Sequence, residues 1–268
     1  MWSCECRGRE EPAQSSILFS LLNRGSARPQ AQVETPAAHQ RATCASSGEP
    51  EAIRAAQGDF TAACEVLVRT FRFVRSVPCF RCLPVEDQLR LVRNSWAPLL
   101  VLGMAQDSVR FGAAETQQQQ QQPSLLHRIL THSKEGQQRT APGTPDPDVV
   151  TVGDVEGIRL FLLRCRGLRI SVKEFAFLKG AILFSPEVSE LECRDYIRAL
   201  QTEAERALYV HVRTVHRGNA ARLCRLRAAL NALRAMDPRA VAGLFFRPVT
   251  GTSCVDEHVL AMFFRGLE

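Results

Sequence analysis

Apolar residues in this chain recur mostly at three- and four-residue steps, the spacing that lines them along one face of an α-helix. Ala63, Val66, Leu67, Thr70, Phe73, Val74 and Val77 form the first clear stripe, and Pro78 stops it. A second helix is predicted after Pro84. Glu86 and Asp87 fall in its first turn, where carboxylates suit the helix dipole, and Leu89, Val92, Trp96 and Leu99 carry its apolar face. Pro98 should break or kink it, because proline has no N–H to donate. The run Leu99–Ala105 is apolar nearly all round and belongs in the middle of a fold. Further helices are predicted at Val152–Cys165, Val172–Phe184, Leu191–Thr214, Ala220–Met236, Arg239–Phe246 and Asp256–Phe264, with Gly218 and Pro238 as stops. Period-two alternation is nearly absent, and only Ser108–Phe111 reads as the start of a small hairpin.

Three stretches break this pattern. Residues 24–58 are rich in Ala, Gln, Ser, Pro and Gly; residues 117–122 are a glutamine run; residues 133–148 are polar and end in Pro-Asp repeats. None can bury enough apolar surface to offset the entropy of ordering it. The expected organisation is a mostly disordered, flexible tail over 1–57 and one all-α domain over 58–268.

Composition adds little beyond exclusions. The 268 residues are 45% hydrophobic and 23% charged, ordinary for a globular protein, with a net charge of +6. The arginines are scattered, with no run resembling a nucleic-acid arm. The strongest apolar run, Trp96–Ala105, has about half the ~20 residues a membrane-spanning helix needs, so no membrane partner is expected. Charged residues from Glu5 to Glu11 stand where a secretory signal would need apolar ones, which points to an intracellular protein.

Ten cysteines are too few for a disulfide scaffold, and Cys79-x-x-Cys82 has no second pair at zinc-module distance. No metal and no direct sequence-specific DNA binding are therefore expected. The chain lacks G-x-G-x-x-G, Walker, H-E-x-x-H and G-x-S-x-G motifs, so neither a cofactor nor an enzyme is expected. An enzyme on a helical scaffold stays a rival, since catalytic groups assemble from distant positions. A histidine and a carboxylate in contact within a polar cleft would favour it.

The sharpest chemical signal is Leu18-Phe19-Ser20-Leu21-Leu22, an L-x-x-L-L box. On a helix, Leu18, Leu21 and Leu22 share one face, and a helix this short is stable only when docked. Two readings stand. The leucines anchor the box in another protein's groove, or they dock on the chain's own domain. A degenerate copy, Leu126, Ile129 and Leu130, has the same spacing; from the residues alone a core-facing helix is its first reading.

Phe73-Val74-Arg75-Ser76-Val77-Pro78-Cys79-Phe80, followed by Leu83-Pro84-Val85-Glu86-Asp87-Gln88-Leu89, resembles the signature of the nuclear-receptor ligand-binding domain. Trp96-Ala97-Pro98-Leu99-Leu100, Phe177-Leu178-Lys179-Gly180, Ile182–Val188 and Leu244–Pro248 narrow the likeness to the atypical subfamily without a DNA-binding domain. The resemblance implies an antiparallel three-layer helical sandwich. It also implies a corepressor, present in nucleus and cytoplasm, whose boxes, matched by position to Leu18, Leu21 and Leu22 and to Leu126, Ile129 and Leu130, occupy the coactivator groove of other receptors' ligand-binding domains. Corepressor proteins and a homodimer are further implied partners. A ligand-gated receptor holding a lipophilic molecule is the rival within the fold.

By position, Arg75 matches the basic clamp of such a groove, and His258, Val259, Leu260, Ala261, Met262 and Phe263 match its closing helix. The family pattern has an acidic residue where Ala261 stands. That leaves no acceptor at this position for the first N–H groups of an incoming helix; Asp256 or Glu257 would substitute if the helix packs one turn differently.

Overall fold

The computed structural model describes residues 51–111, 151–217, 219–251 and 254–265. Ten helices account for nearly all of them, and no strand occurs among the described residues. The helices are α1 (Glu51–Arg75), α2 (Pro78–Arg81), α3 (Val85–Phe111), α4 (Val152–Leu168) and α5 (Val172–Leu183). They continue as α6 (Arg194–Val215), α7 (Ala220–Arg234), α8 (Pro238–Phe245), α9 (Arg247–Thr250) and α10 (Val255–Phe264).

Three layers result. Helix α1 covers one side of α3, while α4, α7 and α8 cover other sides of it. Helix α5 packs on α3, α6 and α7, and α10 closes onto α1 and α3. Leu99–Leu102 at the centre of α3 are fully buried, as a stretch apolar all round requires. Close crossings depend on two glycines. A Cβ on Gly103 would stand 2.7 Å from Val66 Cγ1 of α1, and one on Gly180 would stand 3.2 Å from Ala204 Cβ of α6.

Several sequence expectations need correction. Helix α1 starts at Glu51, inside the stretch read as loop, because Ala52, Arg54, Ala55, Ala56 and Gln57 are strong helix formers despite their low apolar content. Ser108–Phe111 opens no hairpin and ends α3 as helix; no turn residue interrupts it, and propagation is cheap once a helix has formed. Pro98 does not break α3. Pro98 and its neighbours Trp96, Ala97, Leu99 and Leu100 are all buried, so packing outweighs the one lost hydrogen bond. Helix α6 starts at Arg194 rather than Leu191 because the Asp87 carboxylate holds the backbone N–H groups of Glu192 and Cys193, both at 2.9 Å.

The helix termini follow ordinary capping chemistry. Thr151 with Asp154, and Ser171 with Glu174, form capping boxes on α4 and α5. Asn219 and Asp237 cap α7 and α8. Arg169 ends α4 in the left-handed region, at φ 45°.

Candidate receptor groove and its closing helix

The end of α1, the short α2, α3 around Trp96 and α10 converge on one surface. Arg75, in the last turn of α1, donates through Nη1 to the Phe263 carbonyl at 3.0 Å. Its guanidinium also lies 5.6 Å from the centre of the Phe263 ring. The ring meets Phe71 of α1 edge-on at 5.4 Å and Phe80 of α2 at 6.2 Å. At the other end of α10, Trp96 Nε1 donates to Asp256 Oδ1 at 3.0 Å. The closing helix is thus pinned at both termini, by a cation on its C-terminal carbonyls and by an indole N–H on its first-turn carboxylate.

The six expected residues of this helix divide by face. Val259, Leu260 and Phe263 are buried and Met262 is partly buried, while His258 and Ala261 are exposed. Val259, Met262 and Phe263 have the i, i+3, i+4 spacing of a leucine box, and Arg75 caps the last of them. Sequence reasoning found Arg75 and the helix but missed that they bind each other. Leu18, Leu21, Leu22, Leu126, Ile129 and Leu130 lie outside the described residues, as do the glutamine run and the 133–148 stretch.

The remaining signature residues hold the frame. Gln88 Nε2 donates to the Leu83 carbonyl at 2.8 Å, closing the turn that enters α3. Lys179 is buried; its Nζ donates to Gln106 Oε1 of α3 at 2.7 Å and lies 5.2 Å from the centre of the Phe73 ring of α1. Beneath α10, aromatic rings pack on one another. Trp96 meets Phe246 edge-on at 5.6 Å, and Phe246 meets Phe60 at 5.7 Å.

One histidine does approach a carboxylate, His216 Nε2 at 3.6 Å from Glu174 Oε1. Glu174 is fully buried and already bound by the Arg222 guanidinium and the Ser171 backbone N–H. Burial pushes its carboxyl up, but the Arg222 and Ser171 hydrogen bonds outweigh that and hold it below the usual range. It is a structural anchor. Burial pushes the Cys79 and Cys165 thiols up to about 12, so both pack as thiols. No group of three metal-ligating side chains occurs among the described residues. No helix among them is long and apolar enough to cross a membrane.

The fold and the signature residues define a receptor domain, and comparison with known proteins agrees. Residues 57–246 match the family described as the ligand-binding domain of nuclear hormone receptor, and the chain belongs to that family of receptor domains rather than to a family of enzymes. It is 38% identical over 271 residues to nuclear receptor subfamily 0 group B member 1 of Callithrix jacchus, covering 97% of this chain and 57% of that protein. The Homo sapiens counterpart is 36% identical over 271 residues, with coverage of 97% and 57%. The chain thus spans little more than half the length of these relatives. The solved ultraspiracle ligand-binding domain from Drosophila melanogaster superposes with a TM-score of 0.56 at 23% identity, covering 78% of this chain and 82% of that one. That likeness is one of fold.

Proposed function

We propose that this protein is a transcriptional corepressor that binds the ligand-binding domains of other nuclear receptors. Its boxes at Leu18, Leu21 and Leu22, and at Leu126, Ile129 and Leu130, lie in the partner's coactivator groove and exclude activating helices from it. The protein works in the nucleus and cytoplasm, reaches DNA only through its partners, and brings further corepressor proteins with it.

The observation that carries this reading is the hydrogen bond from Arg75 to the Phe263 carbonyl. The cation that would hold the C-terminus of a foreign leucine-box helix is engaged by the chain's own closing helix. The other clamp position is the exposed, uncharged Ala261. Of the two carboxylates in the first turn of α10, Trp96 binds Asp256, which leaves the exposed Glu257 as the one available acceptor there. A domain whose groove is poorly equipped to receive such helices, in a chain whose sequence carries two leucine-box motifs, fits a donor of boxes.

The test is capture of this chain by a panel of receptor ligand-binding domains, with and without agonist. Agonist-dependent capture is expected, weakened at least about tenfold by Leu21→Ala with Leu22→Ala. Each lost anchor buries a side chain worth ~1.5–3 kcal/mol, and ~1.4 kcal/mol is a factor of ten. Capture that survives this pair combined with Leu126→Ala and Leu130→Ala would show that the boxes are not the interface.

A further inference from the structure

Residues 164–173 and 213–227 together hold nine Arg and Lys and no Asp or Glu. The chain as a whole carries +6, so more than its entire positive excess lies in these two stretches. Far apart in sequence, they are joined by the fold. Arg222, at the start of α7, donates to the Leu168 carbonyl at the end of α4 at 2.9 Å. The same guanidinium binds Glu174, in the first turn of α5, through Nε at 2.8 Å and Nη2 at 2.7 Å. His216, just past α6, faces that carboxylate. Two helix ends and two helix starts therefore meet at one pole of the molecule.

Arg222 and Glu174 neutralise each other within it. The other eight cations, among them Arg164, Arg166, Arg169, Lys173, Arg213 and Arg225, are exposed, and none makes an ion pair among the described residues. Exposed apolar side chains are their neighbours along the chain. Val172 is 67% exposed beside Lys173, and Val215 is 57% exposed beside His216. Tyr209, 41% exposed, lies one helical turn before Arg213 on α6.

We infer that this pole is a docking surface for an acidic segment of a partner protein in which carboxylates alternate with apolar side chains. Eight like charges gathered at one end repel one another, and an array of carboxylates relieves that repulsion. Arginine heads, unlike ammonium groups, grip carboxylates in pairs of parallel hydrogen bonds. A nucleic-acid backbone would meet the charges equally well but would leave Val172 and Val215 against phosphate and water. An acidic segment with interspersed apolar residues covers both. The surface is separate from the groove at Arg75, and the inference stands whether or not the boxes carry receptor binding.

The experiment titrates the full chain, at about 150 mM salt, against three labelled probes. These are a short peptide alternating Asp or Glu with Leu or Phe, the same peptide with Ser replacing each apolar residue, and a single-stranded oligouridylate of similar charge. The first probe should bind tightest. Arg213→Glu with Arg225→Glu should weaken it at least about tenfold, a loss of ~1.4 kcal/mol. Lys173→Glu with Arg164→Glu should do the same and serves if the first pair does not fold. Val172→Ser with Val215→Ser should bring the first probe down to the affinity of the second. Tighter binding of the oligouridylate would overturn the inference in favour of a nucleic-acid surface. So would failure of the acidic–apolar peptide to bind, or affinity unchanged in the charge-reversed pairs.

Discussion

Asp87 sits inside the molecule with no exposed surface, and its two oxygens accept from two backbone N–H groups just ahead of α6. Charge-assisted bonds of this kind are worth ~1.5–3 kcal/mol each, but Glu192 is exposed, so water can replace one partner. Asp87→Ala should therefore cost about 2–4 kcal/mol in urea unfolding, and Asp87→Asn, which keeps one acceptor, clearly less. Equal losses in the two variants would mean that the negative charge, not the pair of bonds, is what matters. A second residue-scale effect concerns pH. Burial is the main cause that lowers His211 below its ordinary value of 6.5, opposed by Glu174 and aided by Lys173, His216 and Arg222. The unfolded chain then binds the proton first, so this histidine's contribution is complete above pH 6.5 and is lost as pH falls from 6.5 through the lower folded value. Glu174, whose folded carboxyl lies below the ordinary 4.5, adds stability above that pH and loses it only in stronger acid. Unfolding midpoints at about pH 7.5 and 5.5 should differ in the native chain and differ less in His211→Phe; equal differences would clear His211 of the effect.

At the scale of elements, most helices were legible because their apolar stripes are long and their stops are prolines or capping residues. What could not be read was long-range. Asp87 shortens α6 from across the fold, and the crossing that needs Gly103 is invisible without α1 beside it. The closing helix shows the same limit. Its residues and Arg75 were both recognisable, yet their contact spans 188 positions. The contact also changes what a substitution should do. A half-buried guanidinium on a helix C-terminus is worth about 1–2 kcal/mol. Arg75→Ala should therefore speed hydrogen exchange of the α10 amides by about tenfold and leave weak leucine-box peptide binding nearly unchanged. Unchanged exchange with a marked fall in peptide affinity would make Arg75 a clamp for foreign helices instead. Ala261→Glu places a carboxylate on the exposed face of α10. It should raise affinity for such peptides a few-fold, an increment that fades with salt.

At the scale of the whole molecule, the family was legible from a few motifs, while the basic pole was not, since its cations are scattered in sequence and gather only when α4, α5, α6 and α7 meet. The interior poses the last question, because a receptor domain can either hold a lipophilic ligand or fill the same space with its own side chains. Here Phe71, Phe80 and Phe246 have no exposed surface, and Trp96 and Phe263 interlock with them edge-to-face. Edge-to-face pairs add about 0.5–1.5 kcal/mol beyond burial, and an interior packed this way gains nothing by opening for a guest. Native mass spectrometry of the purified chain should accordingly show the mass of the polypeptide alone. Phe246→Ala removes the ring that links Phe60 to Trp96. The variant should lose about 3–5 kcal/mol of stability, as large-to-small core changes do when neighbours cannot collapse. It should also bind a small apolar probe such as benzene in the vacated space, recovering part of the lost stability as the probe concentration rises. A stoichiometric lipid on the native chain, displaced or lost in Phe246→Ala, would instead mark this ring as the wall of an existing ligand site and move the protein towards ligand-gated control.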